Sequence, residues 1–456
     1  MTMQNIANIQ RRFFNTHVTR DIKYRREALK KLRSALKEWE PRICEALQKD
    51  LGKCAMETFM TEIGMVASSL NHTIKCLRRW CKPRRVHTPL AQFPSVSRVV
   101  PEPYGVALIM SPWNYPVLLC LDPLVAALSA GNCCVVKPSS MTPATSAVLA
   151  EMLGSLYPKE YVHVVLGGRD STGVLLEQKF DYIFFTGSPT VGHIIMDAAA
   201  RHLTPVTLEL GGKSPCIVDA TANLRVAARR IAFGKILNAG QTCVAPDYLF
   251  IHHSVKEAFV QEYRKAVIEM LGEEPLKNEE FTHIICKRHF DRLMDLMQDA
   301  TAVVGGKGDP DTLRIEPTVL DAVTPSSSSM QQEIFGPVLP ILTWEKWEDV
   351  EEFVLSRPRP LASYLFSTDS ATKRRFSQNL SFGGGCINDT IIHLAVHGLP
   401  FGGIGDSGMG SYHGKAGFDT FTHHKSVLSK ANWLDLPFRY HPYSKFAEKI
   451  LRFFLR

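Results

Sequence analysis

From Val106 onward, short apolar runs alternate with stretches of helical character, and this order leaves few folds open. Strands are expected at Val106–Met110, Cys133–Val136, Tyr161–Leu166, Asp181–Phe185 and Pro205–Leu210, with helices starting at Pro116, Pro143 and Pro189. Apolar runs of this length bounded by Gly and Pro read as strands buried on both faces. Helices between them make the sheet parallel and doubly wound. After Gly211-Gly212 a second series follows. Its strands are expected at Cys216–Asp219, Tyr248–His252, Val338–Leu342 and Ala362–Phe366, and its helices at Leu224–Leu237, Val255–Leu271 and Asp349–Leu355. The expected fold class is α/β, with two such units in succession.

Two flanking regions differ in character. Asp21 to Lys82 is a helical lead-in, with Leu29, Leu32, Leu36 and Trp39 at helical spacing. Arg84 to Val100 carries Pro89 and Pro94 and reads as an extended arm or β-ribbon. With 45% apolar and 21% charged residues, the chain is neither disordered nor a disulfide-stapled miniprotein. A net charge of +8 suits a phosphate-bearing ligand or an anionic surface without requiring either, and nucleic acid is not implied. The longest apolar stretch, Tyr115 to Gly131, is broken by Asp122-Pro123, so no membrane-spanning helix is expected. The start has no export signal, and the eleven cysteines contain no Cys-x-x-Cys pair. Buried thiols in a reducing cytoplasm, without a bound metal, are the expectation.

Four segments carry chemistry. In 181–196 a buried strand reaches Gly187, Ser188 suits an N-cap and Pro189 the first helical position, with Val191 on the apolar face. Such a helix start attracts phosphate, and Gly192 permits close packing. The spacing Gly-x-x-x-x-Gly is not G-x-G-x-x-G, so a capped turn and a dinucleotide site are both open. In 133–140, Lys137 ends a strand before Pro138, poised either for a ribose or phosphate or for solvent. In 206–215, Glu209 lies among apolar neighbours before a Gly-Gly turn. A carboxyl there is either a general base of raised proton affinity or an exposed strand-face residue. Lys213 and Ser214 look like a P-loop ending, but Thr207 stands where its first glycine belongs. In 237–250, Cys243 lies in a polar loop after a C-cap signal at Asn238 to Gly240, open to a nucleophilic or a structural role.

Together and in this order, these segments resemble the aldehyde dehydrogenase superfamily, whose two signatures look like LELGGKSP with its glutamate and GQTCVAPDYL with its cysteine. PWNYP at 112–116, KPS at 137–139, FTGSPTVG at 185–192, QEIFGPVLP at 332–340 and the run from Leu399 to Ser426 extend the resemblance along the chain. The last run, HLTPVTLELGGKSPC and the compact length resemble class 3, whose members oxidise medium-chain, fatty and aromatic aldehydes.

The resemblance implies a Rossmann-like dinucleotide-binding domain of five strands (1–83 and 101–207), a second α/β catalytic domain (208–420), a β oligomerisation arm (84–100 and 421–435) and an amphipathic tail (436–456). It implies Cys243 as nucleophile, Glu209 as the base that activates water and Asn114 as an oxyanion donor. NAD or NADP contacts fall on Lys137, Ser140, Gly187, Ser188, Val191, Gly192, Leu210, Glu333 and Phe335. The family often has a glutamate where Ser140 stands. A carboxylate there would repel a 2′-phosphate, so NADP is expected to be accepted alongside NAD. A homodimer is the class 3 expectation. The tail places Phe446, Ile450 and Phe454 on one stripe, with Lys445, Lys449, Arg452 and Arg456 elsewhere, suited either to peripheral membrane contact or to covering a dimer surface. The rivals are a thiol hydrolase or esterase using Cys243 with a histidine, and a CoA-acylating aldehyde dehydrogenase.

Overall fold

The computed structural model describes residues 3–455. An arm of β1 (Arg84–Val86) and β2 (Ser95–Pro103) leads into β3 (Val106–Met110), β4 (Cys133–Lys137), β5 (Val162–Val164), β6 (Tyr182–Thr186) and β7 (Val206–Glu209). The second series opens with β8 (Pro215–Val218) and β9 (Tyr248–His252) and continues through β10 (Thr301–Val304), a small ribbon of β11 (Gly308–Asp309) and β12 (Arg314–Ile315), and β13 (Thr318–Asp321). It then runs through β14 (Val338–Trp344), β15 (Ala362–Phe366) and β16 (Gly384–Ile387); β17 (Gly408–Met409) and β18 (Thr422–Lys430) follow.

The first sheet has the order β17-β7-β6-β3-β4-β5, five parallel strands with β17 antiparallel on the β7 edge. VALIM, CCVVK and YIFFT are buried at every position because helices cover both faces. The helix Leu118–Ala130 is buried at every residue after the first, as a helix between layers must be, and its one charged residue, Asp122, accepts a hydrogen bond from the Ser69 hydroxyl. It starts two residues later than expected from Pro116. The Glu62 carboxylate accepts the Val117 and Leu118 amides and fixes the start there.

The second sheet has the order β10-β13-β14-β9-β8-β15-β16, parallel except for β10 at its edge. The arm strands join β18 in the order β1-β2-β18, all antiparallel.

Three expectations are corrected. A helix, Arg169–Leu176, separates β5 from β6, which had been read as consecutive strands; both are parallel to their neighbours, and such strands need a crossover. The lead-in is helical from Ile6, before Asp21. The segment near 408–420, expected at the end of the second unit, lies on the first. Gly408 and Met409 pair with Glu209 and Leu208, and the helix Gly414–Thr420 packs on Leu118–Ala130 and Gly64–Trp80. Among the described residues no helix is long and apolar enough to cross a membrane. The tail forms a helix, Lys445–Phe454, capped by Ser444; Arg456 lies outside the described residues.

Candidate active site

Cys243 sits in the loop between the helix Leu224–Ile236 and β9. That helix ends in a tight turn in which Asn238, Ala239 and Gly240 take left-handed φ values of 53°, 50° and 70°. The conformation costs about 1–2 kcal/mol per non-glycine residue, so contacts must hold it. The Asn238 amide donates to Glu57 Oε1 at 2.9 Å, and its Nδ2 donates to the carbonyls of Asn114 at 2.9 Å and Gln241 at 3.0 Å. A side chain at Gly240 would overlap the Gly336 carbonyl, which accounts for glycine at the last position. The turn hands the chain to Cys243 in a fixed direction.

Asn114, in the turn after β3, is buried and donates from Nδ2 to the Gln241 carbonyl at 3.0 Å. Glu209 ends β7, 2% exposed, and neither carboxylate oxygen has a hydrogen-bond partner among the described residues. The exposed strand-face alternative is therefore wrong, since the side chain is buried. Burial holds the Glu209 carboxyl well above its ordinary range. Burial also pushes the Cys243 thiol up to about 12, with Glu333 and Glu209 adding to the rise while its own amide and that of Val244 pull the other way.

Two cavities meet at these groups. One, about 190 Å³ and apolar, is walled by Met60, Leu118, Phe233, Ile391, Phe401 and Tyr412, among others. The other, about 640 Å³, is polar and runs past Asn114, Gly187, Ser188, Leu210, Glu333 and Phe335. Leu119, Thr186, Glu209 and Cys243 line both. Tyr412 and His413 are side walls of the apolar cavity, with His413 stacked on Phe401 at 5.2 Å.

The polar cavity suits a dinucleotide. The helix Pro189–Ala200 opens onto it, capped by Ser188, which accepts the Val191 amide at 3.5 Å. Thr186 Oγ1 is buried there without a protein partner among the described residues. Burial first, then Asp247, raises the Glu333 carboxyl to about 8, against the pull of the nearby Gly212 amide. Arg292 donates to the carbonyls of Glu333 at 3.2 Å and Ile334 at 2.5 Å, and Trp113 sits 5.4 Å from the Phe335 ring.

Four expected cofactor residues lie outside the cavity lining. Val191 and Gly192 are inside the helix; a methyl on Gly192 would come 2.9 Å from Leu210 Cδ2, so this glycine serves helix-to-strand packing. Lys137 is buried, not solvent-facing, and donates to the Gly167 carbonyl at 2.9 Å. Ser140 is exposed beside Gly168. Sequence reasoning missed Thr186, Arg292 and most of the apolar wall. Arg292 reads as one more surface charge of an amphipathic helix, and wall residues look like core residues.

The model of the aldehyde dehydrogenase family matches residues 3–427. The 4,4'-diaponeurosporen-aldehyde dehydrogenase of Staphylococcus aureus is 47% identical over 444 residues, 97% of each chain. The aldehyde dehydrogenase family 3 comG of Dictyostelium discoideum is 43% identical over 98% of this chain and 95% of its own. Among solved structures, the substrate-bound state of Staphylococcus aureus AldH superposes with a TM-score of 0.98 at 46% identity, covering 100% of both chains. A betaine aldehyde dehydrogenase from Staphylococcus aureus in complex with NAD+ gives 0.85 at 27% identity, covering 95% of this chain and 88% of that one. With these matches running nearly end to end over a cysteine, a glutamate and an asparagine gathered where two cavities meet, the chain belongs to the aldehyde dehydrogenase family and is an oxidoreductase acting on the aldehyde group.

Proposed function

We propose that the protein oxidises medium- or long-chain aliphatic or aromatic aldehydes to carboxylic acids with NAD or NADP, through a covalent intermediate on Cys243. The observation that carries this reading is the meeting of an apolar and a polar cavity at Cys243 and Glu209. The apolar cavity takes the aldehyde's hydrocarbon part, and the polar one takes the dinucleotide. The Cys243 thiol releases its proton to solvent, the sulfur adds to the aldehyde carbon, and the carbonyl oxygen becomes an oxyanion. Asn114 Nδ2 and the Cys243 amide hold that oxyanion; one such donor is typically worth about 100- to 1,000-fold in rate. As the oxyanion collapses, the carbon expels its hydrogen with both electrons and becomes a thioester. The bound nicotinamide supplies the hydride acceptor. Glu209 then takes a proton from water, whose oxygen attacks the thioester, releasing the acid and the thiolate.

Glu333 would hold the nicotinamide ribose, Phe335 would back the ring, and Gly187, Ser188 and Leu210 would border the path of the pyrophosphate. Exposed Ser140, standing where the family often has a glutamate, would border the adenosine ribose and admit NADP, while Lys137 would reach it only by giving up its bond to the Gly167 carbonyl. Two partner assignments belong to the same reading. A homodimer forms through the arm, where Val427 and Leu428 of β18 are exposed. The tail helix meets an anionic membrane with the stripe of Phe446, Ile450 and Phe454, whose two phenylalanines are exposed, beside Lys449 and Arg452.

The test is reduction of NAD+ and NADP+ across a chain-length series of aldehydes, with wild type and Cys243→Ala. Cysteine-dependent reduction with acid as the product is expected. Cysteine-dependent ester cleavage without cofactor reduction would overturn the redox reading. Acyl-CoA as the product would overturn the role of Glu209.

A further inference from the structure

Lys53 and Glu62 are the largest departure from what the helical lead-in promised. In sequence they look like two ordinary charges among many; in the fold both side chains are 0% exposed and bonded, Nζ to Oε1, at 2.7 Å. Taking two charges out of water costs more than a lone pair usually returns, so stability is a weak reason for such a pair. Its geometry supplies a better one. Glu62 Oε2 accepts the amides of Val117 at 2.7 Å and Leu118 at 3.2 Å, at a helix start, where a carboxylate is favoured. Lys53 Nζ lies 3.5 Å from the Asn114 carbonyl and 4.4 Å over the Tyr115 ring. The pair thus grips residues 114–118 at both ends. The same segment is stitched to the nucleophile loop: Asn114 Nδ2 to Gln241 at 3.0 Å, Asn238 Nδ2 back to the Asn114 carbonyl at 2.9 Å, and the Tyr115 hydroxyl to Thr242 Oγ1 at 2.6 Å.

Glu62 also belongs to a one-turn π-helix, Phe59–Ile63, a local widening that recurs at functional sites. Its Met60 and Thr61 line the apolar cavity. One buried ion pair therefore joins the wall that touches the substrate's chain to the loop that carries the Asn114 amide. Apolar side chains would fill the same space but would not orient the Val117 and Leu118 amides or the Asn114 peptide.

We infer that Lys53 and Glu62 are positioning residues that hold the Asn114 amide at the place where the oxyanion forms. This rests on the reading of Asn114 as an oxyanion donor, and the experiment separates the two. The first turnover is followed by stopped flow as reduced cofactor, at saturating NAD+ and aldehyde, in a cycle of Lys53→Met/Glu62→Gln with Asn114→Ala. Thermal melts and cofactor Kd are measured alongside.

Because a misplacement of about 1 Å costs about 100-fold, removing the pair should slow the first turnover about 10- to 100-fold in the Asn114 background. Cofactor Kd should stay within about twofold, and once Asn114 is already alanine the same change should cost less than about threefold. Lys53→Arg should recover most of what Lys53→Met loses. Equal losses in both backgrounds would make the pair plain scaffold and overturn the inference. If Asn114→Ala alone left the first turnover unchanged, the oxyanion reading would fail and the inference with it. Should the double variant not fold, Glu62→Gln alone, which keeps the volume and one acceptor, goes through the same cycle with the same criteria.

Discussion

Gly211→Ala tests whether Glu333 holds the cofactor. Gly211 lies between Glu209 and Gly212, whose amide lowers the proton affinity of Glu333, and its backbone conformation suits any residue. A methyl there would lie 2.7 Å from Glu333 Cδ and Oε1 and closer still to Oε2. The obstacle is the end of a flexible side chain, so the carboxylate swings away and the fold survives. Above pH 8, where the Glu333 carboxyl is ionised, what is lost is one hydrogen bond to a charged group, about 1.5–3 kcal/mol, or about 10- to 150-fold in cofactor Kd. Gly212→Ala is the control, since its nearest new neighbours would be at an ordinary 3.4 Å. Calorimetric titration with NAD+ and a thermal melt read the result. Gly211→Ala should weaken binding by that factor with an unchanged melting temperature, and Gly212→Ala should do neither. Binding within about twofold of wild type would refute the role given to Glu333, since the three atoms nearest the added methyl all belong to it.

Other expectations follow from charge and burial. Alkylation of Cys243 by iodoacetamide in the free enzyme should rise about tenfold per pH unit from 7 to 10, because the thiol sits at about 12; a plateau near pH 9 would contradict its placement. Glu209→Gln should accumulate an acyl adduct on Cys243, read by intact mass. It should also change stability against pH. A carboxyl raised on folding stabilises the fold while protonated, and that contribution is lost as pH climbs from the ordinary 4.5 through the raised value. The glutamine stays neutral, so its melting temperature should gain on wild type as pH rises, and parallel curves would sink the argument. Ser140→Glu should weaken NADP+ at least about tenfold, with the loss shrinking in high salt; an unchanged NADP+ Kd would remove Ser140 from the adenosine end.

Legibility followed local determinism. Tyr248–His252 and Ala362–Phe366 form where expected because a central parallel strand must be apolar on both faces. Thr301–Val304 escaped notice because it is an antiparallel edge strand with Thr301 and Ala302 exposed. Cys243, Glu209 and Asn114 were readable because each sits in a short segment whose glycines and turns announce it. Met60, Phe233 and the pair Ile391 and Phe401 come from three distant segments, and each resembles any core residue until the fold sets them around one cavity. Lys53 and Glu62 were invisible for a related reason: nine residues apart in a charge-rich helical region, nothing local marks them as buried.

The convergence of acids at Cys243 bears on the order of the chemistry. Glu333 and Glu209 both raise the thiol's proton affinity, and such coupling acts equally in reverse, so an ionised sulfur disfavours an ionised Glu209. Three acids in one desolvated space cannot all carry charge. While the sulfur is a thiolate, Glu209 is held neutral, and a neutral carboxyl cannot take a proton from water. Once the sulfur is bound in a thioester its charge is gone, and the share of the resistance to ionising Glu209 that came from it goes too, while burial still raises the carboxyl. On the proposed reading, Glu209 is therefore easier to ionise, and readier to act as a base, when the intermediate it must hydrolyse exists than while a thiolate stands beside it.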